Sequence, residues 1–217
     1  MVGYHKIETL YNRNTDGSKG LVEGDWRDPT VQFLADLDWE WTEKIDGTNI
    51  SVVWDGHKVE FHGRTERANI PAHLVNKLLD MFGGETNEEL FEQKFGETPA
   101  ILFGEGYGVK IQSGGSYIPD GVSFILFDVF MPEQGNWLPR EAVNDIATYF
   151  NIDAVPVVGV GPLSKAVEFV KTKPKSTIGT ANMEGVVCRP VVELRNRCGN
   201  RAIVKIKVRD FTDNDGK

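Results

Sequence analysis

The sequence Glu-Lys-Ile-Asp-Gly-Thr-Asn at residues 43–49 lies between two segments that are typical of β-strands. Before it, residues 38–42 alternate large apolar and polar side chains, as a half-buried strand does. After it, residues 50–54 predict a second strand. Lys44 is therefore expected at a strand end, before a tight turn in which Gly47 lets the backbone bend and a ligand approach. Taken alone, this segment is compatible with a surface lysine before an Asp-Gly turn and with a nucleophilic lysine.

The composition is that of an ordinary globular protein. The chain has 217 residues, of which 40% are hydrophobic and 26% charged, and its net charge is −8. This charge argues against wholesale nucleic-acid coating or membrane-surface binding, but it permits a local basic groove. Cys188 and Cys198 form no CxxC pair and the histidines lack metal-ligand spacing, so we expect neither a zinc site nor a disulfide framework. Without a long apolar run or a signal pattern, we expect a cytoplasmic protein.

A second pattern predicts a β-hairpin directly after the lysine segment. Residues 50–54 and 58–63 flank Asp55-Gly56-His57, which is a strong short-range hairpin signal. In an antiparallel hairpin the return strand brings Arg64 back toward the predicted Lys44 turn. By itself, Arg64 is more typical of a solvated surface arginine.

Two acidic residues stand next to glycines at predicted strand ends. Glu105 follows the apolar residues 100–103, and Glu184 precedes Gly185 and the strand that begins there. The glycines within residues 104–108 suggest a dinucleotide-binding loop, but no helix pattern follows, so the phosphate would have no helix end to bind. What remains is an acid at a strand end with space for a bulky ligand, a feature that alone is more often a turn.

Residues 202–208 alternate strictly, which places Lys205 and Lys207 on one face of a predicted strand. Two neighbouring cations repel each other unless water or an anion lies between them. The strand is therefore either a solvated edge guarded by lysines or part of a polyphosphate-binding site. From Arg189 to Arg209 the sequence holds seven basic residues and one acid, which predicts a track for a phosphate backbone.

The remaining pattern mixes strands with helices. Residues 122–130 predict a mostly apolar strand, whose aromatic side chains are each more typical of a core. Helical patterns lie at residues 70–82, 86–94, 139–150 and 164–171, with Thr86 opening a capping box and Ser164 capping the last helix. The predicted fold class is α+β with largely antiparallel sheets.

In order along the chain, these segments resemble the covalent nucleotidyltransferase superfamily of polynucleotide ligases and capping enzymes. The matching segments are Lys44-Ile45-Asp46-Gly47-Thr48-Asn49, Gly63-Arg64-Thr65, Phe103-Gly104-Glu105-Gly106, Phe124-Ile125-Leu126-Phe127-Asp128, Met183-Glu184-Gly185-Val186-Val187 and Val204-Lys205-Ile206-Lys207. Within that superfamily, the chain is most similar to ATP-dependent RNA ligases of the nick-sealing phage type, over about residues 5–211. Residues 6–11 and 41–44 also resemble RNA ligases.

The resemblance implies an ATP-grasp-like nucleotidyltransferase fold of antiparallel sheets flanked by helices. It implies that Lys44 attacks the α-phosphate of ATP, that the AMP moves to a 5′-phosphate RNA end, and that a 3′-hydroxyl expels it. Lys205 and Lys207 would hold the α-phosphate, and Glu184 would orient Mg²⁺ or Mn²⁺. The other implied roles are Glu43 beside the base, Asn49 at the sugar or phosphate, Arg64 and Glu105 at the ribose, Phe127 (rather than Phe124 or Phe130) stacked on adenine, and Asp46 shaping the turn.

The resemblance also sets the expected domain content and partners. We expect residues 1–217 to form a single adenylation domain, without the C-terminal OB or helical domain that such ligases commonly carry. We expect a monomer that acts on RNA with 5′-phosphate and 3′-hydroxyl ends and that has no membrane partner. A DNA ligase, a capping-type nucleotidyltransferase and a nucleotide- or RNA-binding module without turnover stay open as alternatives, although mere binding would not need a nucleophile.

Overall fold

The computed structural model describes residues 3–15, 20–65, 68–112 and 116–211. The chain divides into two compact units: unit 1 is Met1–His5 with Asp46–Val155, and unit 2 is Lys6–Ile45 with Pro156–Lys217. The larger segment of unit 1, Asp46–Val155, is therefore inserted in sequence between the two segments of unit 2. That residues 1–217 act as one adenylation domain stays a prediction.

Within the described residues, the fold is α+β and its strand pairing is mostly antiparallel, as the sequence predicts. The strands are β1 (Glu8–Thr9), β2 (Tyr11–Arg13), β3 (Leu21–Trp26), β4 (Trp39–Glu43), β5 (Thr48–Trp54), β6 (Val59–Gly63), β7 (Ala100–Gly108), β8 (Val122–Met131), β9 (Asn136–Trp137), β10 (Asp153–Ala154), β11 (Val157–Gly161), β12 (Gly185–Pro190) and β13 (Val204–Lys207). The helices are α1 (Pro29–Phe33), α2 (Ala72–Phe82), α3 (Glu85–Phe95), α4 (Arg140–Tyr149) and α5 (Leu163–Lys171), and a 3₁₀ helix spans Val208–Asp210. None of the described helices is long and apolar enough to cross a membrane.

Unit 2 is built on a five-stranded sheet with the order β1-β13-β12-β4-β11. Strand β12 is antiparallel to both β4 and β13, while β1 runs parallel to β13. The alternating side chains Trp39 and Trp41 pack with Val186, Ile206 and helix α5 in one buried core. Full burial of such a side chain stabilises the fold by about 1.5–3 kcal/mol. Because β13 has a neighbour on each side, the interpretation of its lysines as guards of an edge strand is wrong.

Unit 1 contains a six-stranded sheet in which β10, β8, β7, β5 and β6 follow one another and β9 also pairs with β8. The predicted hairpin is confirmed, since Ile50 lies opposite Gly63 and Trp54 opposite Val59. Helix α2 buries residues at every fourth position, ending with Phe82, which packs edge-on against Phe124 of β8. The opposite face of β5 and β7 carries Asn49 and Glu105 at one end and the buried Ile101 and Phe103 at the other.

Two helix starts differ from the sequence prediction. Helix α3 begins at Glu85, after Gly84 with a φ of +82°, and not at a Thr86 capping box. Helix α5 begins at Leu163 after Pro162, so Ser164 is not its cap. In α3 the charge of Glu85 and Glu88 in the first turn replaces a side-chain cap, because the positive end of the helix dipole favours anions.

Residues 44–47, which connect β4 to β5, differ most from the structure predicted for them. Strands β4 and β5 belong to different sheets, so residues 44–47 are not a tight turn between paired strands. Instead, the Lys44 N–H donates to the Gly185 carbonyl at 2.9 Å and continues the β4–β12 ladder. Gly47 is required by close approach, because a Cβ there would collide with the Gly106 carbonyl oxygen and lie 2.9 Å from Cγ of Glu105.

Candidate active site

Lys44, Glu184 and Lys207 meet in unit 2 through the register of three strands. Gly185 lies opposite Lys207 and accepts the Lys44 N–H, so the three side chains arise at one level of the sheet. One oxygen of the Glu184 carboxylate binds Lys44 Nζ at 2.6 Å, and the other binds Lys207 Nζ at 2.5 Å. The side chains of Lys44, Glu184 and Lys207 are 24%, 15% and 10% exposed, so the cluster is shielded but still reachable.

The electrostatics of this cluster centre on Glu184. Burial acts to raise the pKa of Glu184, but the charge of Lys44 and hydrogen bonds from Lys207 and Lys44 outweigh burial and hold the pKa below 4.5. The carboxylate is therefore ionised at neutral pH. Two lysines share this one acid, so the cluster keeps an excess of positive charge that suits a phosphate group.

Gly185 explains why an acid-glycine pair stands at this strand end. A Cβ at Gly185 would collide with the Ile206 carbonyl oxygen and lie 2.7 Å from Cα of Lys207. Only glycine lets β12 approach β13 this closely. The Val208 N–H also donates to the Glu184 carbonyl at 2.9 Å, so the backbone of Glu184 is held against β13.

Lys205 lies on the same face of β13 as Lys207, as the alternation predicts. It lies opposite Val187 of β12 on one side and Thr9 of β1 on the other. Val204 and Ile206, which alternate with the lysines, are buried in the core of unit 2. Strand β13 therefore presents a cationic face and an apolar face.

Glu43 directly precedes Lys44, but its side chain lies on the core face of the sheet. Its neighbours across the strands are Val186 and then Ile206, both core residues. Glu43 is 1% exposed, and its carboxylate accepts hydrogen bonds from Ser176 Oγ at 2.5 Å and from Thr177 N–H and Oγ1 at 2.9 and 2.6 Å. Protein groups thus engage both carboxylate oxygens of Glu43, and its position beside the base stays a prediction.

Asn49 and Glu105 lie directly opposite each other on β5 and β7 of unit 1. They project away from the core, because the next residue of β5, Ile50, is fully buried. Oδ1 of Asn49 is buried and accepts no hydrogen bond from the described residues. An unsatisfied buried acceptor costs about 1–3 kcal/mol, so a ligand that donates to Oδ1 would be stabilised there.

Arg64 and Phe127 also belong to unit 1. Arg64 is exposed and follows the last hairpin pair, Ile50 with Gly63. Phe127 is half-buried, and its ring packs edge-on against that of Tyr4 at a centroid distance of 4.9 Å. Because Phe124 is fully buried in the core, Phe127 is the better candidate for stacking on a base.

Sequence reasoning assigned no role to Asp128, Tyr4, Ser176 or Thr177. Asp128 is 1% exposed and accepts a hydrogen bond from the Tyr4 hydroxyl at 2.9 Å. An acid within an otherwise apolar strand was the signal for Asp128. Ser176 gave no such signal, because its partner Glu43 is 133 positions away in the sequence.

The predicted basic track is partly neutralised within unit 2. Glu193 binds Arg195 at 2.9 Å and Arg201 at 3.3 Å. Glu40 of β4 binds Arg189 at 3.5 Å. The local excess of positive charge is thus smaller than the residue count suggested, and a phosphate-backbone track stays a prediction.

The α+β fold and the Lys44–Glu184–Lys207 cluster agree with the resemblance to the covalent nucleotidyltransferases. A family model described as RNA ligase matches residues 37–207, which include every strand that contributes to the cluster. The chain belongs to the RNA ligase family. The finer assignment to the nick-sealing phage type stays a prediction. None of the curated proteins matches the sequence.

Solved structures of Naegleria gruberi RNA ligase have a similar fold. One variant with ATP and Mn has a TM-score of 0.64 at 19% identity, covering 93% of this chain and 59% of that one. A second variant with ATP and Mn has a TM-score of 0.65 at 17% identity, covering 95% and 56%. An apo variant has a TM-score of 0.60 at 18% identity, covering 81% and 52%. This chain therefore spans little more than half the length of these relatives.

Proposed function

We propose that this chain is the adenylation domain of an ATP-dependent RNA ligase. Lys44 Nζ attacks the α-phosphorus of ATP, so a nitrogen–phosphorus bond forms, the bond to the bridging oxygen breaks, and pyrophosphate leaves. The Lys44 nitrogen loses two protons in all, one to become an amine and one on forming the phosphoramidate. The observation that carries this proposal is the Glu184 carboxylate, which holds Lys44 and Lys207 at 2.6 and 2.5 Å.

The groups around Glu184 fit a divalent cation that binds together with the nucleotide. Mg²⁺ is commonly held by one or two carboxylates with substrate phosphates and water. Glu184 offers such a carboxylate, and the described residues hold no cluster of three or more His, Cys, Asp or Glu that could bind a metal alone. Bound Mg²⁺ or Mn²⁺ supplies charge stabilisation for the phosphate. A cation held by Glu184 would compete with Lys44 for the carboxylate, and Lys44 released from this ion pair would be available for attack.

The remaining lysines stabilise the charge that develops during phosphoryl transfer. Such transfer depends mainly on positioning and electrostatic stabilisation. Lys205 and Lys207 share one face of β13, and Lys207 already reaches the carboxylate that binds Lys44. We assign both lysines to the α-phosphate.

Residues of unit 1 are assigned to the nucleoside. The unsatisfied Oδ1 of Asn49 suits a hydroxyl donor of the ribose. Glu105, which lies opposite Asn49, and Arg64 are assigned to the same sugar. Phe127 is assigned to stacking on adenine, because aromatic faces bind bases without reading their identity.

We propose two further steps, which membership of the RNA ligase family supports. A 5′-phosphate of RNA attacks the lysyl–AMP, which breaks the nitrogen–phosphorus bond and frees Lys44. A 3′-hydroxyl then attacks the activated 5′-phosphate, forms the phosphodiester and expels AMP. We propose that a cytoplasmic monomer carries out these steps.

The first test is adduct formation with α-labelled ATP and Mg²⁺ or Mn²⁺. We expect a protein-linked AMP that is labile to acid and stable to alkali. Lys44→Ala should form none, whereas Lys165→Ala, which removes an exposed lysine on α5, should form it normally. No adduct in the wild type, or an adduct that survives Lys44→Ala, would overturn the proposal.

A second test separates ligase classes within the superfamily. Nicked duplexes with RNA or DNA at the nick are offered with ATP, and GTP replaces ATP in a parallel reaction. We expect sealing of the RNA nick with ATP. Sealing of DNA alone would indicate a DNA ligase, and a GMP adduct would indicate a capping-type enzyme.

A further inference from the structure

Residues 174–183 form a short hairpin in unit 2, which we call the 174–183 hairpin. The Met183 N–H donates to the Pro174 carbonyl at 2.8 Å, and the Ser176 N–H donates to the Ala181 carbonyl at 3.0 Å. An antiparallel bridge between Lys175 and Asn182 completes the pairing. Because the hairpin runs directly into Glu184, its position determines where the Glu184 side chain starts.

Glu43 ties this hairpin to the end of strand β4. One carboxylate oxygen accepts from Ser176 Oγ, and the other accepts from both the N–H and the Oγ1 of Thr177. Ser176 is itself 8% exposed, and its Oγ also accepts the Ile178 N–H at 3.2 Å. The contact is thus a buried network of charge-assisted hydrogen bonds, which is stronger and more directional than one between neutral groups.

We infer that Glu43 is a positioning residue of the adenylation site, which fixes the 174–183 hairpin and thereby the Glu184 carboxylate that binds Lys44. The inference rests on the proposed function, because it gives Glu43 a part in the same reaction. The backbone of Glu43 leads into Lys44, while its side chain holds the segment that leads into Glu184. One residue therefore sets both partners of the reactive ion pair.

A carboxylate is needed here because three donors converge on two oxygens. Glutamine in place of Glu43 would keep one carbonyl oxygen and would turn an amide NH₂ toward a hydrogen-bond donor. The Thr177 N–H cannot accept a hydrogen bond, so the amide NH₂ would face Ser176, whose hydroxyl would have to accept a bond instead of donating one, and the negative charge would be lost. Glu43→Gln therefore changes the hydrogen bonding while it keeps the volume of the side chain.

The test compares Glu43→Gln with the double variant Ser176→Ala/Thr177→Val, which removes both hydroxyl donors from the other side of the network. The matched control is Glu40→Gln, also on β4, whose carboxylate binds Arg189. Three quantities are measured: hydrogen exchange of the Thr177 amide without nucleotide, the rate of lysyl–AMP formation, and the cation concentration that gives half of that rate.

We expect Glu43→Gln and the double variant to lose exchange protection at Thr177. Both should form the adduct about 10- to 100-fold more slowly and need more Mg²⁺ or Mn²⁺, as changes behind a metal-binding carboxylate do. The triple variant that combines all three substitutions should form the adduct only slightly more slowly than Glu43→Gln alone, because the substitutions disrupt one network. Glu40→Gln should match the wild type in all three measurements.

Several results would overturn the inference. Unchanged exchange at Thr177, or a slow Glu43→Gln with a double variant at the wild-type rate, would show that the network does not position Glu184. A lower melting temperature with unchanged rate and cation dependence would show a structural role only. A shift of preference from ATP to GTP would indicate contact with the base instead.

The test still gives an answer if one variant does not fold or if the wild type forms no adduct. If Glu43→Gln does not fold, the double variant carries the comparison alone, since it leaves the carboxylate in place. If the wild type forms no adduct, the proposed function fails and with it the catalytic part of this inference. The exchange measurement on nucleotide-free protein then still decides whether Glu43 anchors the hairpin, so the two failures are distinguishable.

Discussion

Unit 2 and unit 1 each carry several of the proposed site residues, but they satisfy the polar groups of these residues in opposite ways. In unit 2, Glu184 and the lysines Lys44 and Lys207 are bound to one another. In unit 1, Oδ1 of Asn49 is buried and receives no donor from the part of the chain that the structure describes. An internally paired cluster must rearrange before it reacts, whereas an unsatisfied acceptor is ready for a ligand. In the proposed function, this difference assigns chemistry to unit 2 and nucleotide recognition to unit 1.

The largest expected effect comes from removing the shared carboxylate of unit 2. Glu184→Ala should slow lysyl–AMP formation at saturating ATP by about 100-fold or more, because a preorganised charge in the site is lost. The rate of adduct formation measures this directly. Glu168→Ala, which removes an exposed carboxylate on α5, is the control and should keep the wild-type rate. If Glu184→Ala formed the adduct at the wild-type rate, the chemistry would not depend on the paired cluster of unit 2.

Gly185→Ala tests whether the close strand approach matters for the same cluster. The new Cβ would collide with the Ile206 carbonyl oxygen. Overpacking of this kind destabilises a protein by about 1–3 kcal/mol, so the urea midpoint should fall and the rate of adduct formation should fall with it. An unchanged midpoint would show that β12 and β13 can separate at this position.

Asn49→Ala tests the contrasting behaviour of unit 1. Loss of the acceptor should raise the ATP concentration at half-maximal rate by about tenfold, which is 1.4 kcal/mol, and leave the maximal rate nearly unchanged. Removing a buried acceptor without a donor should also stabilise the nucleotide-free protein by about 1 kcal/mol. Steady-state kinetics and thermal unfolding measure the two effects. A reduced maximal rate with unchanged ATP dependence would assign Asn49 to chemistry.

The smallest effect is a difference in pH dependence between the two units. Because the folded protein holds the pKa of Glu184 below 4.5, this group stabilises the fold above that value, and the contribution is lost as the pH falls through the lowered pKa. The stability difference between wild type and Glu184→Gln should therefore shrink as the pH falls below about 4.5. The corresponding difference for Asn49→Ala should stay constant, since an amide does not titrate there.

Local sequence patterns correctly predicted the features that depend on neighbouring residues. The Asp55-Gly56 turn specified the β5–β6 hairpin, and the alternation of residues 204–207 placed two lysines on one face of β13. These features depend on turn chemistry and on the two-residue period of a strand.

Features that depend on distant partners were missed. The Asp-Gly signal at residues 46–47 predicted a turn, but pairing of β4 with β12 carries the chain out of one sheet and into another. The two-residue strand β1 was too short to reveal that β13 has a second neighbour. Nothing in the local sequence shows that the Glu43 side chain binds Ser176 and Thr177. The alternation of residues along β4 predicts only on which face of the sheet that side chain lies.

The interrupted sequence of unit 2 has a consequence for synthesis of the protein. Lys44 leaves the ribosome 140 residues before Glu184, and Asp46–Val155, the larger segment of unit 1, is made between them. A nascent chain can therefore fold unit 1 first, in keeping with the tendency of compact units to fold as they emerge. Lys44, the proposed nucleophile, lies at the end of an incomplete sheet until β12 and β13 add Glu184 and Lys207. On the proposed function, an incomplete chain therefore lacks the groups that Lys44 needs for adenylation.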